Sequence, residues 1–276
     1  MGNEDLGLHY EKTGDLAKAA DYYMSMRQDI GTTEQLVNVT KHAARIAIQM
    51  RDWTTAGVHV SKLHGVQLGD KVEDEALARY ARIARGLAQL AQGNFEEVAR
   101  CFLHLEGWPA ASETEMVTRS DIAVYGALCA LATLERGALQ TKVLENQHFR
   151  TSLEREPHIR KAISFYVSGR FTAALEILES YRADFLLDIH LQRFVPTLLE
   201  RIRNKCIVQF VYPYSCVSID TLQEAFGASG EKPIDEELRE LIRSGTLKAR
   251  INTIEGVWLN LNLVRIQTCS NCCNSS

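Results

Sequence analysis

The sequence predicts an all-α fold, a right-handed α-solenoid of tetratricopeptide-like helical hairpins, that ends in a small α+β winged helix. Two observations lead to this prediction. A short turn motif recurs along the first two thirds of the chain, and each copy separates two amphipathic helical patterns. From Leu247 onwards the apolar period changes to two, which is the period of a strand, so a β-hairpin is expected at the end of the helical region.

Composition and charge restrict the class of protein. The chain has 276 residues, a formal net charge of -4 and 46% hydrophobic residues, which is ordinary for a globular, helix-rich protein. Without a basic excess, the charge gives no indication of binding to nucleic acid or to an anionic membrane. The apolar run Ile122–Leu134 is shorter than the about 20 residues that a membrane span needs, so we expect a buried helix there.

The seven cysteines are an odd number without an evident pairing scheme. Disulfides persist in oxidising compartments, whereas cytosolic thiols stay reduced and serve as small hydrophobic residues. The sequence therefore indicates a reducing compartment, and we expect the protein in the cytoplasm and nucleus.

The repeated turn motif begins with glycine in three copies and with arginine in a fourth. The copies are Gly14-Asp15-Leu16, Arg51-Asp52-Trp53, Gly93-Asn94-Phe95 and Gly169-Arg170-Phe171. Their first residues lie 37, 42 and 76 residues apart, and Arg136-Gly137-Ala138-Leu139 is expected to be a degenerate copy within the longest gap. Such periods are typical of α-solenoids, because a two-helix unit cannot bury its apolar face alone and stacks on its neighbours.

The helices of the solenoid follow from these turns and from the apolar periodicity. They are expected near residues 3–12, 16–28, 34–50, 53–66, 73–92, 95–104, 118–134, 137–143, 146–154, 157–168 and 171–183. The clearest loop is expected around Gly107-Trp108-Pro109.

We divide the chain into a solenoid arm at residues 1–185, a winged helix at 186–262 and a tail at 263–276. The tail has no periodicity and is expected to be disordered. No low-complexity linker separates the arm from the winged helix, so we expect the two to pack as one rigid body.

The winged helix is predicted from three helices and a hairpin. An apolar stripe at helical spacing runs from Leu191 to Val211, and Pro213 stops it because proline lacks the N–H that a helix interior needs. Ser218 is the expected N-cap of the second helix. The third helix carries apolar residues from Ile234 to Ile242, and Gly245 is expected at its C-cap with a positive φ.

The hairpin at the end of the winged helix is the candidate partner interface. A strand at the edge of a small sheet can pair with a strand of a neighbouring protein. The candidate contact residues are Leu247, Lys248, Ala249, Arg250, Ile251, Val257, Trp258, Leu259 and Leu261.

No motif in the chain predicts a catalytic, cofactor or metal site. The phosphate-binding pattern G-x-x-x-x-G-K-[ST] and the zinc pattern H-E-x-x-H do not occur. His59 and His64 do not share a helix face well. Cys269, Cys272 and Cys273 contain a C-x-x-C spacing, but a structural zinc needs four ligands and no second pair lies nearby. We therefore predict no enzyme, no cofactor and no small-molecule substrate.

Nucleic-acid binding is an alternative function, because winged helices also bind DNA. The helix that would enter the major groove carries the acids Asp235, Glu236, Glu237 and Glu240 and the bases Arg239 and Arg243. Binding to phosphates needs the opposite balance, since lysine and arginine supply most of the affinity. The sequence therefore favours a partner protein over DNA.

An α-solenoid that runs without a break into a winged helix resembles the PCI domain family, whose members build the proteasome lid, the COP nine signalosome and a translation initiation factor complex. Within it the chain is similar to the signalosome subunit-one family and its proteasome lid homologue over roughly residues 3–251. The stretches that carry the closer resemblance are Gly7-Leu8-His9-Tyr10, Gly14-Asp15-Leu16, Asp52-Trp53, Ile122 to Thr133, Leu186-Leu187-Asp188, Ile202-Arg203-Asn204 and Tyr212-Pro213-Tyr214-Ser215. Tyr125 to Thr133 and Ile202 to Asn204 look more like the signalosome subunit.

The resemblance implies a non-catalytic scaffold. Members of this family support deneddylation, the removal of a ubiquitin-like modifier from cullins by a zinc metalloprotease in another subunit, and so regulate cullin-RING ubiquitin ligases. The implied partners are the other PCI subunits, the metalloprotease subunit and, indirectly, the cullin-RING ligases. The resemblance implies that the winged helix joins a ring of PCI winged helices and that the solenoid projects outward. A proteasome lid scaffold is the alternative within the same family.

The resemblance also raises an expectation about the end of the chain. Family members continue past the wing into a long helix that enters a shared helical bundle. Here the apolar pattern decays after Leu261, so residues 263–276 are not expected to form that helix.

Overall fold

The computed structural model describes residues 2–26, 30–63, 65–105, 116–227, 233–252 and 257–260. Within these ranges the chain forms fifteen α-helices and one three-stranded sheet. Two compact units are present: Met1–Pro157 with Ile189–Leu191, and His158–Asp188 with Gln192–Ser276. The predicted division at residue 185 and the packing of arm and winged helix as one rigid body stay predictions.

The helices of the first unit are α1 Asn3–Thr13, α2 Leu16–Ser25, α3 Thr33–Gln49, α4 Trp53–Leu63, α5 Lys71–Ala91, α6 Phe95–Leu103, α7 Arg119–Thr133, α8 Arg136–Leu139 and α9 Gln147–Leu153, with a single π-helical turn at Gln140–Leu144 after α8. Each helix from α1 to α7 packs against the next along the chain, as a solenoid of hairpins requires, and α7 packs against α9.

Most of the predicted solenoid helices are confirmed, but the helix expected near 137–143 is α-helical only to Leu139 and continues as the π-helical turn. The second unit begins with α10 Pro157–Val167, α11 Phe171–Ser180 and α12 Arg182–Leu187. The single helix expected near 171–183 is therefore two, because the helix ends after Ser180 and restarts at Arg182.

The repeated sequence motif is one backbone turn used four times. Gly14, Gly93 and Gly169 have φ angles of +83°, +75° and +82°, and Arg51 has φ +59°, the only positive φ at a non-glycine residue in the described part of the chain. In every copy the amide of this residue donates to the carbonyl three residues earlier, and the next amide donates to the carbonyl five residues earlier, with N···O distances of 2.8–3.2 Å. This pair of bonds ends a helix with a left-handed residue, and it confirms the alignment of Arg51 with the glycines.

The predicted degenerate copy at Gly137 does not form this turn, so that prediction was wrong. Helix α7 ends at Thr133, and Leu134 and Glu135 are extended with ψ angles of 147° and 162°. Gly137 then lies inside α8 without a positive φ. The chain changes direction through two extended residues here, so no left-handed residue is needed.

Helix α7 lies in the centre of the first unit's core. Almost every residue from Ile122 to Ala132 is buried, which confirms the buried helix predicted there. Thr118 caps its start by accepting a hydrogen bond from the amide of Asp121 at 3.2 Å, and the Asp121 carboxylate accepts one from the Thr118 amide at 2.8 Å. In the described part of the chain, no helix has the length and apolarity that crossing a membrane requires.

The second unit contains the winged helix. Its elements are α13 Val195–Val211, β1 Cys216–Ser218, α14 Ile219–Phe226, α15 Ile234–Arg243, β2 Ala249–Asn252 and β3 Val257–Asn260. Ser218 accepts a hydrogen bond from the amide of Thr221 at 3.0 Å, and Gly245 has φ +74°, so both predicted caps are confirmed.

The predicted start of the first winged-helix helix at Leu191 was wrong. A short 3-10 turn occupies Gln192–Phe194, and the α-helix begins at Val195 with Pro196 in its first turn. Proline has no N–H to donate and fits the first turn of a helix, where that donor would be unpaired anyway, so it sets the start. Leu191 is nevertheless fully buried.

The sheet has the antiparallel order β1-β3-β2, so the last strand in the chain is the central one. Cys216 pairs with Leu259 on one side of β3, and Ala249 pairs with Asn260 on the other. The hairpin of β2 and β3 was predicted, whereas β1 was not, because three residues are too few to show a period.

Several predicted features lie outside the described residues: the loop at Gly107-Trp108-Pro109, His64, Leu261 and the tail at 263–276.

Candidate partner interface

A buried ion pair connects the three helices of the winged helix. The Nε atom of Arg203 on α13 donates to both carboxylate oxygens of Glu237 on α15, at 3.1 and 3.0 Å, and its Nη2 donates to the carbonyl of Phe226 at the end of α14, at 2.9 Å. Arg203 and Glu237 are each 9% exposed. Hydrogen bonds between charged groups are stronger than neutral ones, so this guanidinium fixes the positions of the helices that carry the sheet.

The ion pair changes the charge that α15 presents to solvent. Glu237 points into the unit, and Asp235 pairs with Arg239 at 3.0 Å on the outer side. The outer side of α15 therefore has three acids and two bases, Asp235, Glu236, Arg239, Glu240 and Arg243, instead of the four acids counted from the sequence. The acidic surplus still disfavours contact with phosphates.

The sheet order decides which backbone groups can pair with another strand. Strand β3 is paired on both sides, so its backbone cannot accept a further strand. In the described part of the chain, no strand pairs with the outer side of β1 or of β2. Strand addition is therefore possible at two positions, β1 Cys216–Ser218 and β2 Ala249–Asn252.

The nine residues predicted as a partner interface do not all lie at the surface. Leu247, Ala249 and Trp258 are 7%, 5% and 0% exposed and belong to the core of the unit. Lys248 and Arg250 are exposed. The alternation of a strand explains this result, because successive side chains point to opposite faces.

Three of the other four predicted residues lie on the two strands of the hairpin. Strand register sets Ile251 opposite Trp258, and Val257 and Leu259 lie on the central strand. Leu261 is outside the described residues. The assignment of a partner surface to these residues stays a prediction.

Sequence reasoning missed a pair of aromatic side chains beside β1. Tyr212 and Tyr214 are 70% and 48% exposed, and they lie between the end of α13 and the edge strand. The ring of Tyr214 lies 6.0 Å from that of Phe210. Tyrosine is enriched at protein interfaces because it offers apolar area together with a polar hydroxyl. The sequence signal for this pair was Tyr212-Pro213-Tyr214, directly after the apolar stripe. This segment was part of the family resemblance, but nothing in it indicated a role in partner contact.

The described residues show no group of side chains that could form a metal site. They contain no cluster of three or more histidine, cysteine or acidic side chains that could hold a metal. Cys101, Cys129 and Cys206 are buried, and burial raises the pKa of each thiol, to about 12 for Cys206. A thiol with such a raised pKa is protonated at neutral pH and is a poor nucleophile or ligand.

Comparison with known protein families shows to which family the chain belongs. A family model described as 26S proteasome subunit RPN7 matches residues 1–142, and a model of the PCI domain matches residues 178–257. The chain belongs to the RPN7 family. The PCI match contains α12 to β2 and ends at the first residue of β3, which confirms the predicted PCI architecture.

Within this family the chain is more similar to signalosome subunits than to lid subunits. COP9 signalosome complex subunit 1 of Neurospora crassa is 47% identical over 255 residues, which cover 92% of this chain and 60% of that protein. The protein of the same name from Emericella nidulans is 41% identical over 265 residues, covering 91% and 52%. The 26S proteasome non-ATPase regulatory subunit 6 homolog of Arabidopsis thaliana is 21% identical over 250 residues, covering 91% and 63%.

These values confirm the resemblance to the signalosome subunit-one family. The chain spans 60%, 52% and 56% of the length of the first three curated relatives, the third being COP9 signalosome complex subunit 1 of Arabidopsis thaliana.

Proposed function

We propose that this chain is a non-catalytic scaffold subunit of the COP9 signalosome. In this role it supports cullin deneddylation by the metalloprotease subunit and so regulates cullin-RING ubiquitin ligases. The winged helix makes the contacts with neighbouring PCI subunits, and the helical repeats provide an arm for further contacts. The cullin-RING ligases are reached indirectly, through the assembled complex, which acts in the cytoplasm and nucleus.

One observation supports this proposal above the others: β1 and β2 lie at the edges of the winged-helix sheet, in the region matched by the PCI domain, and their outer sides pair with no strand in the described part of the chain. The outer side of an edge strand presents backbone N–H and C=O groups with which a strand of another protein can pair. The exposed Tyr212 and Tyr214 beside β1 and the exposed Lys248 and Arg250 at β2 give each edge its own side-chain chemistry.

A proteasome lid scaffold is the second candidate, since the family model for residues 1–142 carries the name of a lid subunit. The identity to the lid relative is 21%, against 47% and 41% to the signalosome relatives, so the signalosome is the better supported complex.

Affinity purification from the native cell separates the two candidates. The chain carries a tag at its chromosomal locus, and the co-purifying proteins are identified by mass spectrometry. The proposal expects the other signalosome PCI subunits and the metalloprotease subunit, and deletion of the gene should raise the neddylated fraction of cullins on an immunoblot. Lid subunits in their place assign the chain to the proteasome, and recovery of neither complex contradicts both candidates.

A pair of charge-reversed variants tests the edge of β2. Lys248→Glu with Arg250→Glu changes two exposed side chains beside or on the edge strand, whereas Arg243→Glu changes an exposed charge on α15 of the same unit. We expect the double variant to lose most of the co-purifying PCI subunits and the Arg243 variant to keep them, because unfavourable charges at an interface raise the dissociation rate. Equal recovery with both variants would exclude β2 as the contact.

A further inference from the structure

The first unit contains an open groove that the proposed assembly through the winged helix does not use. It has a volume of about 870 Å³ and runs along one face of α5, from Ala78 to Gln92, with α4 and α6 on its sides. At 1.5 Å per residue this length of helix is about 21 Å. An extended peptide covers that distance in about six residues at roughly 3.3–3.6 Å each.

The floor of the groove is made of small residues, so that a second backbone can come close to the helices. The small lining residues are Gly57, Ser61, Ala78, Ala81, Ala88 and Ala99. They come from three different helices, α4, α5 and α6. Ser61 and Ala78 are exposed and Gly57 is half-buried, whereas Ala81, Ala88 and Ala99 are at most 5% exposed and lie beneath them. A floor of this kind fits an extended chain better than a bulky, rigid ligand.

The rim of the groove is positively charged. Four basic residues, Arg82, Arg85, Arg100 and Lys142, and two acidic residues, Glu96 and Glu97, line it. This is a surplus of two positive charges in a chain whose formal net charge is -4. The field in the groove therefore has the opposite sign to the protein as a whole, and it attracts anionic groups.

One carboxylate orients two of the guanidinium groups. Glu97, whose side chain is 17% exposed, accepts from Arg85 at 2.8 Å with one oxygen and from Arg100 at 2.8 Å with the other. Arg100 also pairs with Glu96, at 3.3 Å through its Nη2 atom. The side chains of Arg85 and Arg100 are 51% and 61% exposed, so a ligand carboxylate can still reach both guanidinium groups from solvent. Arginine has five N–H donors in a planar fork, and a fork that is already oriented loses less entropy when it binds a carboxylate.

Lys142 also lines the groove, on the π-helical turn that follows α8. Its ammonium forms no ion pair with any acid in the described residues. Lys142 is exposed and lies on a different element from the two oriented guanidinium groups, so the groove offers at least two positions for anionic side chains.

We propose that this groove binds an extended segment of a partner protein, about six residues long, that carries at least two aspartate or glutamate side chains. The small floor accommodates the backbone of the segment. The oriented guanidinium groups and Lys142 bind its carboxylates. The site lies wholly within the first unit and is separate from both edges of the winged-helix sheet.

The test uses the purified full chain and fluorescence anisotropy, so its outcome does not depend on assembly of any complex. The probe is a fluorescein-labelled peptide of three Glu-Gly-Asp-Ala repeats, and the matched control peptide has Gln-Gly-Asn-Ala repeats. We expect binding of the acidic peptide only, with an affinity that falls at least about tenfold between 0.05 and 0.5 M salt, since exposed charges are screened.

Two variants with matched controls separate charge from shape. Lys142→Glu should weaken binding about fivefold or more, whereas Lys71→Glu, an exposed charge at the start of the same α5 but outside the groove, should not. Ala78→Phe should block the groove without a change of charge, whereas Val72→Phe adds the same ring at a residue that is 70% exposed and outside the groove. Circular dichroism confirms that all four variants remain folded.

Three results would each overturn the proposal. The neutral peptide could bind as tightly as the acidic one, Lys142→Glu and Ala78→Phe could leave the affinity unchanged, or single-stranded oligothymidylate could displace the peptide and bind more tightly. The last result would make the groove a nucleic-acid site.

Discussion

A Cβ atom added to Gly86 on α5 would lie 2.6 Å from Cζ of Phe102 on α6. The ring of Phe102 is fully buried, and its Cβ atom lies 3.0 Å from the position of a Cβ on Gly126 of α7. One aromatic side chain thus packs between glycines of the helices on either side. The close approach of α5, α6 and α7 depends on the absence of side chains at these two positions.

Gly86→Ala is therefore expected to destabilise the chain although alanine is the better helix former. The overpacked ring costs about 1–3 kcal/mol, more than the about 1 kcal/mol that alanine gains in helix propensity. Urea unfolding measures the difference in the free energy of unfolding. Gly137→Ala is the matched control, since Gly137 is helical with no heavy atom within 4 Å of the added Cβ, and it should not destabilise. A more stable Gly86 variant would show that the ring can move aside.

Arg51→Gly is expected to stabilise the chain. Arg51 has φ +59°, and a left-handed backbone costs a non-glycine residue about 1–2 kcal/mol, part of which glycine loses again through its freedom in the unfolded state. A net gain of about 0.5–1 kcal/mol in the free energy of unfolding follows, measured by urea denaturation.

The reverse substitution provides the control. Gly14→Ala introduces a side chain at φ +83° with no heavy atom within 4 Å, so it should destabilise through the backbone alone. An Arg51→Gly variant that is less stable would mean that the arginine side chain contributes more than its strained backbone costs.

Removing one member of the buried pair should destabilise the winged helix strongly. Arg203→Met leaves the carboxylate of Glu237 buried and without its guanidinium, and breaking a buried pair in this way costs about 3–5 kcal/mol. Thermal unfolding of the full chain, followed by circular dichroism, should show the loss.

The double variant Arg203→Met with Glu237→Leu distinguishes pairing from simple loss of packing. Both charges are absent, so most of the stability should return. If the double variant is as unstable as the sum of the two single variants, the pair is not coupled and the ion-pair explanation is wrong.

The parts of the fold that the sequence predicted correctly depend on local rules. A left-handed residue ends a helix through bonds to residues three and five positions earlier, so the turns at Gly14 and Arg51 could be aligned before any tertiary contact was known. The caps at Ser218 and Gly245 could be predicted for the same reason, because a cap depends only on residues within a few positions of it.

The parts that the sequence missed depend on contacts between distant residues. Arg203 and Glu237 are 34 positions apart, and each resembles an ordinary surface residue of an amphipathic helix until the other is placed beside it. Strand β1 exists only because β3 pairs with it, and Cys216 and Leu259 are far apart in the chain. The central position of β3 also depends on pairing between distant residues. The sequence alone therefore could not show that Trp258 is buried whereas Arg250 is exposed and available for contact.

An alkylation experiment should modify the exposed cysteine and leave the buried cysteines unmodified. Cys216 is exposed, whereas Cys101, Cys129 and Cys206 are buried with raised pKa values. Iodoacetamide reacts with the thiolate, so at pH 8 the native chain should be modified at Cys216 and protected at the other three. Peptide mapping by mass spectrometry measures each site separately.

The alkylation of Cys206 can also be followed as a function of pH. A pKa raised to about 12 for Cys206 keeps its thiol protonated between pH 7 and 9, so protection should persist over this range and end in denaturant. Rapid modification of Cys206 at pH 8 in the native chain would contradict its burial in the winged-helix core.

The strand order has a consequence for the synthesis of the chain. Strand β3 at Val257–Asn260 is the last described element to leave the ribosome, and both other strands pair with it alone. Until it emerges, β1 and β2 have no partner within the sheet, although α13, which carries much of the winged-helix core, is already complete. A premature stop codon before residue 257 would therefore remove the pairing of all three strands at once, and the nascent chain would expose two unpaired strands to the cell's chaperones.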